Sequence, residues 1–263
     1  MYLDSHPRPL KRQTAGGSVR RARRGLRGRQ LPEVVLRVAV PRSGPVPPPA
    51  LVVFFHEFGH VLHRLADARP NWIGTELARD WDEAPSQMLE AWVFDPRVMA
   101  RVARHQETGA PIPASLVQLM RRAIEEGRGG DVRQSLLGGK LALSLHERDP
   151  KNIDPIEVYR EIAKAYLPVK LPDEKFFPQG FGFLGRDFNN VSHYNYSWSE
   201  VIAKDLFSQF DRSNLLDPAI AQRYKRTVLA PGSSRPPADL IQDFLGRPFN
   251  LTAWERSLND ETQ

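Results

Sequence analysis

Residues 51–65 read LVVFFHEFGHVLHRL. Apolar side chains recur there at three- and four-residue spacing, the pattern of a helix with one face in a core. Three histidines and a glutamate interrupt it. Ionisable groups are costly to bury unless something pairs with them, so this helix has to meet a partner. Its centre, HEFGH, matches H-E-x-x-H. Residues four apart share a helix face, so His56 and His60 can aim imidazole nitrogens at one point. That geometry suits two ligands of a tetrahedral zinc ion. Glu57 stands about 100° further round the helix, near the metal position but free of it. From there it can take a proton from a zinc-activated water as general base and pass one to a leaving amine as general acid. Val52, Val53, Phe54, Phe55, Val61 and Leu62 would anchor the helix and keep the site dry. A core helix with two locally satisfied histidines would carry the same letters, so a third ligand is needed to decide.

One zinc-protease pattern continues with a histidine six residues after the second. Here that position is Ala66, which excludes it, and His63 comes too early. His63 is expected to be a flanking residue on the helix surface or behind the ligands. The other route recruits a glutamate from a following helix, and Glu76, Glu83 and Glu90 are the candidates. In EAPSQMLEAW, Asp82 is a suitable N-cap and Pro85 is tolerated in a first helical turn. An interval of seven places Glu83 and Glu90 on one helix face. One carboxylate can then bind zinc while the other orients a first histidine through its free ring N–H.

Outward from this stretch the chain divides into two compositions. The net charge is +6, but residues 1–50 hold 11 Lys+Arg against 2 Asp+Glu, and the remainder is net negative. GGSVRRARRGLRGRQ shows no apolar period, and VPRSGPVPPPA places five prolines where no helix interior can form. This arm is expected to be largely disordered. A transit peptide would be Arg-rich and acid-poor too, but Asp4 and the prolines suit an amphipathic targeting helix badly. No aromatic residue interleaves the arginines, so stacking on bases is unsupported and no nucleic-acid partner is expected. From residue 51 helical spacing continues through 51–66, 83–104, 113–127, 131–146, 155–167, 196–211, 216–228 and 236–245. Strand signals are scarce, the best being EVVLRVAV within the arm. The expectation is an all-α, multi-helix domain over 51–257, with a tail at 258–263. Cysteine is absent, which excludes disulfides, thiolate metal sites and a cysteine nucleophile. No stretch approaches the length of a membrane span. A cytoplasmic setting is expected, with a mitochondrial one as alternative.

HEFGHVLH followed by GTELARDWDEAPSQMLEAW resembles the thimet oligopeptidase/neurolysin family of zinc oligopeptidases, which includes saccharolysin and oligopeptidase A. MYLDSHPR, YNYSWSEVIAKDLF, RYKRTVLAPGSS and DFLGRPFN extend the resemblance to the C-terminus. It implies a zincin-like all-α catalytic domain with one zinc ion and cleavage of short peptides. By match, His56, His60 and Glu83 would be the zinc ligands, Glu57 the general base and Glu90 a support behind the ligands. Tyr196 matches a family tyrosine whose phenol could donate to the oxyanion; it could equally be a core aromatic. The loop GFLGRDFNNVSHYNYSW departs from the family. Phe183 stands where a histidine is expected, Phe188 lies near a loop tyrosine, and His193 replaces another tyrosine. The family is also much longer. A truncated form or misjoined coding segment would account for the arm, and a zinc-binding but catalytically impaired fragment is the alternative function.

Overall fold

The computed structural model describes residues 1–11, 17–26, 28–67, 77–168, 181–182, 184–185 and 190–259. The long apolar helix is present. α1 spans Pro48–Ala66, starting three residues earlier than periodicity predicts. Pro48 and Pro49 occupy its first turn, where the missing N–H groups have no intrahelical role.

The arm corrects the expectation of disorder. It carries three strands, β1 (Tyr2–Asp4), β2 (Ser18–Arg23) and β3 (Glu33–Arg37), in the order β1-β3-β2. β1 runs parallel to β3 with Tyr2 opposite Val35, and β2 runs antiparallel to it with Ser18 opposite Arg37. The physical reason lies in β3. Val34 and Leu36 alternate inward, are fully buried, and join Val38 and Val61 of α1 in one cluster. Polar groups complete the fit. The Lys11 ammonium donates to the carbonyls of Asp4, His6 and Val38, each at 3.0 Å. Arg64 of α1 donates to the Val19 carbonyl, and Arg21 lies 3.4 Å from Asp67 at the helix C-cap. The arginines of this arm are therefore partly structural, holding strand to helix.

The rest is helical. α2 (Ala84–Leu89) runs into a 3₁₀ segment, Glu90–Phe94, and α3 (Pro96–Val102) follows. The spacing predicts one helix over 83–104, but Pro96 cannot continue it. Instead Asp95 caps α3, accepting from the Arg97 and Val98 amides at 2.8 and 3.1 Å. α4 (Ala114–Glu125), α5 (Arg128–Glu147) and α6 (Pro155–Tyr166) come next. After the 3₁₀ turn Ser192–Tyr194 come α7 (Asn195–Phe207), α8 (Pro218–Tyr224) with a π-type extension Lys225–Leu229, α9 (Pro237–Leu245) and α10 (Thr252–Leu258). α10 is a helix that periodicity does not predict.

The main core gathers Trp81, Met88, Leu206, Val228, Ile241 and Phe244, so it lies between α2, α7 and the C-terminal helices. A second cluster, Leu137, Leu141, Val158, Tyr159 and Ile162, joins α5 to α6. Asp205, 1% exposed, receives both Nη atoms of Arg247 at 2.8 and 2.6 Å and the Asn250 amide at 2.9 Å, tying the C-terminal segment to α7. No helix among the described residues is long and apolar enough to cross a membrane.

Candidate active site

Two helices make the site, and a glycine lets them meet. A Cβ built on Gly59 of α1 would fall 2.5 Å from Ser86 Cα and 2.8 Å from the Pro85 carbonyl oxygen of α2. Both contacts are backbone, so only glycine permits this crossing. It places the start of α2 directly over one face of α1, the face that bears His56 and His60.

Glu83 is itself the N-cap residue of α2, correcting the expectation that Asp82 caps it. Its side chain does not cap the helix. It turns to the histidines, with Oε2 3.1 Å from His56 Nε2 and 3.1 Å from His60 Nε2. Ligand atoms of His56, His60 and Glu83 lie within 4.8 Å of one another. The two imidazole rings stand nearly perpendicular, 80°, with centroids 5.1 Å apart. Buried Ser86 donates to the Glu83 carbonyl at 2.8 Å and to Oε2 at 3.3 Å, steadying the carboxylate. Glu90 approaches from the far side, where His56 Nδ1 donates to its Oε1 at 2.7 Å.

The electrostatics follow from this crowding. Burial disfavours a charged His56, but hydrogen bonds to Glu83 and Glu90 outweigh it and lift its pKa to about 10. Burial likewise works against a charged Glu83, yet hydrogen bonds from His56 and His60 hold its carboxyl well below the usual range. The group thus calls for positive charge between two imidazoles and one carboxylate. Two nitrogens and one oxygen converging in this way fit a divalent cation of the zinc type.

Glu57 lies beside this group, 8% exposed. Burial pushes its carboxyl up, partly offset by His60 and His56. Its side chain rests against the arm, since a Cβ on Gly17 would fall 2.2 Å from Glu57 Cγ. Gly17, Gly59 and Ser86 are the residues that sequence reasoning missed. Only Gly59 carried a signal, a glycine inside a helical pattern.

The remaining candidates are placed as follows. His63 is fully buried with its ring edge-on to Trp81 at 6.0 Å, so the surface-helix expectation is corrected. Tyr196 sits on α7, one helix away, and its carbonyl accepts from Gln87 Nε2 of α2 at 3.0 Å. Its ring lies 5.5 Å from that of His193, which packs against Gly138 of α5. Further bonds from α7 reach the segment before α2, Asn195 to the Arg79 carbonyl at 2.9 Å and Ser199 to the Asp80 carbonyl at 3.3 Å. Glu76, Phe183 and Phe188 lie outside the described residues.

The chain is 30% identical to Oligopeptidase A of Escherichia coli (strain K12) over 208 residues, covering 77% of this chain and 31% of that protein. It is 27% identical to the chloroplastic/mitochondrial organellar oligopeptidase A of Arabidopsis thaliana, covering 94% of this chain and 34% of that one. It is 30% identical to a dipeptidyl carboxypeptidase of Salmonella typhimurium, covering 70% and 28%. The chain thus spans roughly a third of the length of these relatives. Among solved structures, a putative oligoendopeptidase F shares the fold with a TM-score of 0.63 at 17% identity, covering 98% of this chain and 42% of that one. Trypanosoma cruzi metallocarboxypeptidase 1 does so with a TM-score of 0.63 at 15% identity, covering 88% and 51%. The sequence pattern of Peptidase family M3 matches residues 1–260, and the chain belongs to that family.

Proposed function

We propose that this chain carries a zinc metallopeptidase centre that hydrolyses short oligopeptides, with His56, His60 and Glu83 as zinc ligands and Glu57 as general base. The observation that carries the reading is the meeting of both imidazole Nε2 atoms at one Glu83 oxygen, with buried Glu57 alongside. Membership of a peptidase family supports it, as do relatives named oligopeptidases.

When bound, zinc supplies Lewis acidity that acidifies a water and polarises a carbonyl oxygen. The chain's own residues do the rest. His56 and His60 present neutral nitrogens, and Glu90 holds the His56 ring by its other nitrogen, which fixes tautomer and orientation. Glu57 accepts the water proton on a carboxylate oxygen and returns it to the leaving amine. Tyr196 is assigned to donate its phenolic proton in a hydrogen bond to the developing oxyanion. Gln87 of α2 donates to the Tyr196 carbonyl, coupling α7 to the helix of Glu83.

The test is a purified full chain assayed for bound zinc and for cleavage of a quenched fluorescent short peptide. Glu57→Gln should keep the zinc and lose about a hundredfold or more in turnover. A chain that takes up no zinc, or a variant that cleaves as fast as the parent, would refute the assignment.

A further inference from the structure

The Arg-rich arm, which lies inside the stretch that matches the family, touches the proposed general base at Gly17. Among the described residues β2 is an edge strand of the sheet, paired only with β3. It begins directly after Gly17, where a Cβ would fall 2.9 Å from Glu57 Oε1. The strand therefore leads away from the catalytic glutamate itself. At about 3.3 Å per residue, Arg20 stands about 10 Å along it, on the order of one Debye length at ordinary ionic strength.

Strand alternation sorts the side chains. Val19 packs into the cluster with Val61, and Arg21 reaches Asp67, so both face α1. Arg20 projects to the opposite, exposed face and has no carboxylate partner among the described residues. Arg23 is paired with Glu33 at 3.1 Å. Residues 17–26 hold four arginines and no acid, so every compensating carboxylate comes from elsewhere. The same residues include no aromatic side chain on which a nucleic-acid base could stack.

We infer that this site selects acidic oligopeptides, with Arg20 as a specificity-determining residue that pairs with a carboxylate on the substrate flank passing β2. The inference rests on the peptidase reading, because a peptide held at Glu57 is what brings a flank to this strand.

The test uses the full zinc-loaded chain and quenched peptides identical except for Glu, Gln or Lys flanking the cleaved bond. The Glu peptide should exceed the Gln peptide in kcat/KM by about fivefold at low ionic strength, through KM, and the advantage should shrink with salt. Arg20→Glu should reverse the order in favour of the Lys peptide, and Arg20→Gln should remove it. Unchanged thermal melting of both variants would show that the fold is intact. A parent with no charge preference, or an Arg20→Glu variant that keeps the parental order, overturns the inference and leaves the peptidase reading standing. Anisotropy of labelled peptides on Glu57→Gln protein separates the two. If the parent cleaves nothing but Glu57→Gln binds the Glu peptide in an Arg20-dependent way, charge selection stands and the peptidase reading fails. Absence of both cleavage and Arg20-dependent binding defeats both. A single-stranded oligonucleotide that binds through Arg20 more tightly than the Glu peptide overturns the inference in favour of nucleic acid.

Discussion

Glu90 Oε1 accepts from His56 Nδ1 at 2.7 Å, on the opposite side of the ring from Glu83, whose Oε2 lies 3.1 Å from Nε2. One imidazole is thus held at both nitrogens by carboxylates from the start of α2 and from the 3₁₀ segment that follows it. Removing the outer partner should loosen the inner one. Glu90→Ala should weaken zinc binding by about 10- to 100-fold, the usual effect of losing a support behind a histidine ligand. Glu90→Gln keeps an acceptor oxygen and should cost less. Competition against a chromophoric chelator measures both, and equal affinities for parent and Glu90→Ala would exclude the role.

The same pair of carboxylates gives metal uptake a pH signature. In the metal-free protein His56 is protonated up to about pH 10, against 6.5 for an unperturbed ring. Near pH 8 a cation must therefore displace a proton that an ordinary histidine would already have lost, and about one proton should be released per zinc bound. Calorimetry in buffers of differing ionisation enthalpy reads this directly. A raised folded-state pKa contributes stability that is fully present below 6.5 and lost as pH rises through about 10. Urea midpoints of the metal-free protein should fall across that window, and Glu90→Ala should reduce the fall.

Burial gives Glu57 a titration signature of its own. Burial, the largest influence on its carboxyl, raises its pKa above the ordinary 4.5, with His60 and His56 pulling partly the other way. In the metal-free protein its carboxyl should therefore titrate above the range of an exposed glutamate. Carboxyl NMR of the metal-free protein, with Glu57→Gln to assign the resonance, reads this, and a midpoint at or below 4.5 would contradict the buried environment described for Glu57.

Much of this site was legible in the sequence because its pieces are local. Helical spacing puts His56 and His60 on one face, and an interval of seven carries Glu83 and Glu90 toward them, whatever surrounds them. Of the sheet only β3 is legible, within EVVLRVAV. β2 offers few apolar residues, and what orders it is non-local: the alternation of Val34 and Leu36 against α1, and the reach of Arg21 to Asp67. The break at Asp95–Pro96 was readable in principle, since an aspartate before a proline is a strong helix start. The cap of α2 was misjudged because Asp82 is the better isolated cap. Local propensity gave way to the demand for a carboxylate at His56 and His60, which Glu83 meets from the N-cap position.

The crossing of α1 and α2 depends on an atom that is missing. Any side chain at Gly59 places its Cβ 2.5 Å from Ser86 Cα, and backbone cannot yield as a flexible side chain can. In Gly59→Ala the helices must part by roughly an ångström or more, an overpacking strain that typically costs about 1–3 kcal/mol. The added alanine favours the helix itself by about 1 kcal/mol, so global stability should drop only modestly. Metal binding should suffer more than stability does. Displacing the start of α2 carries Glu83 away from the two Nε2 atoms it now meets at 3.1 Å, and drags Ser86, which steadies its carboxylate. Gly59→Ala should therefore melt within a few degrees of the parent in chelator yet lose most of the stabilisation that zinc adds to the parent. Thermal denaturation with and without zinc separates the two effects. If zinc raises the melting temperature of variant and parent equally, the close approach at Gly59 is not what brings the third ligand into place.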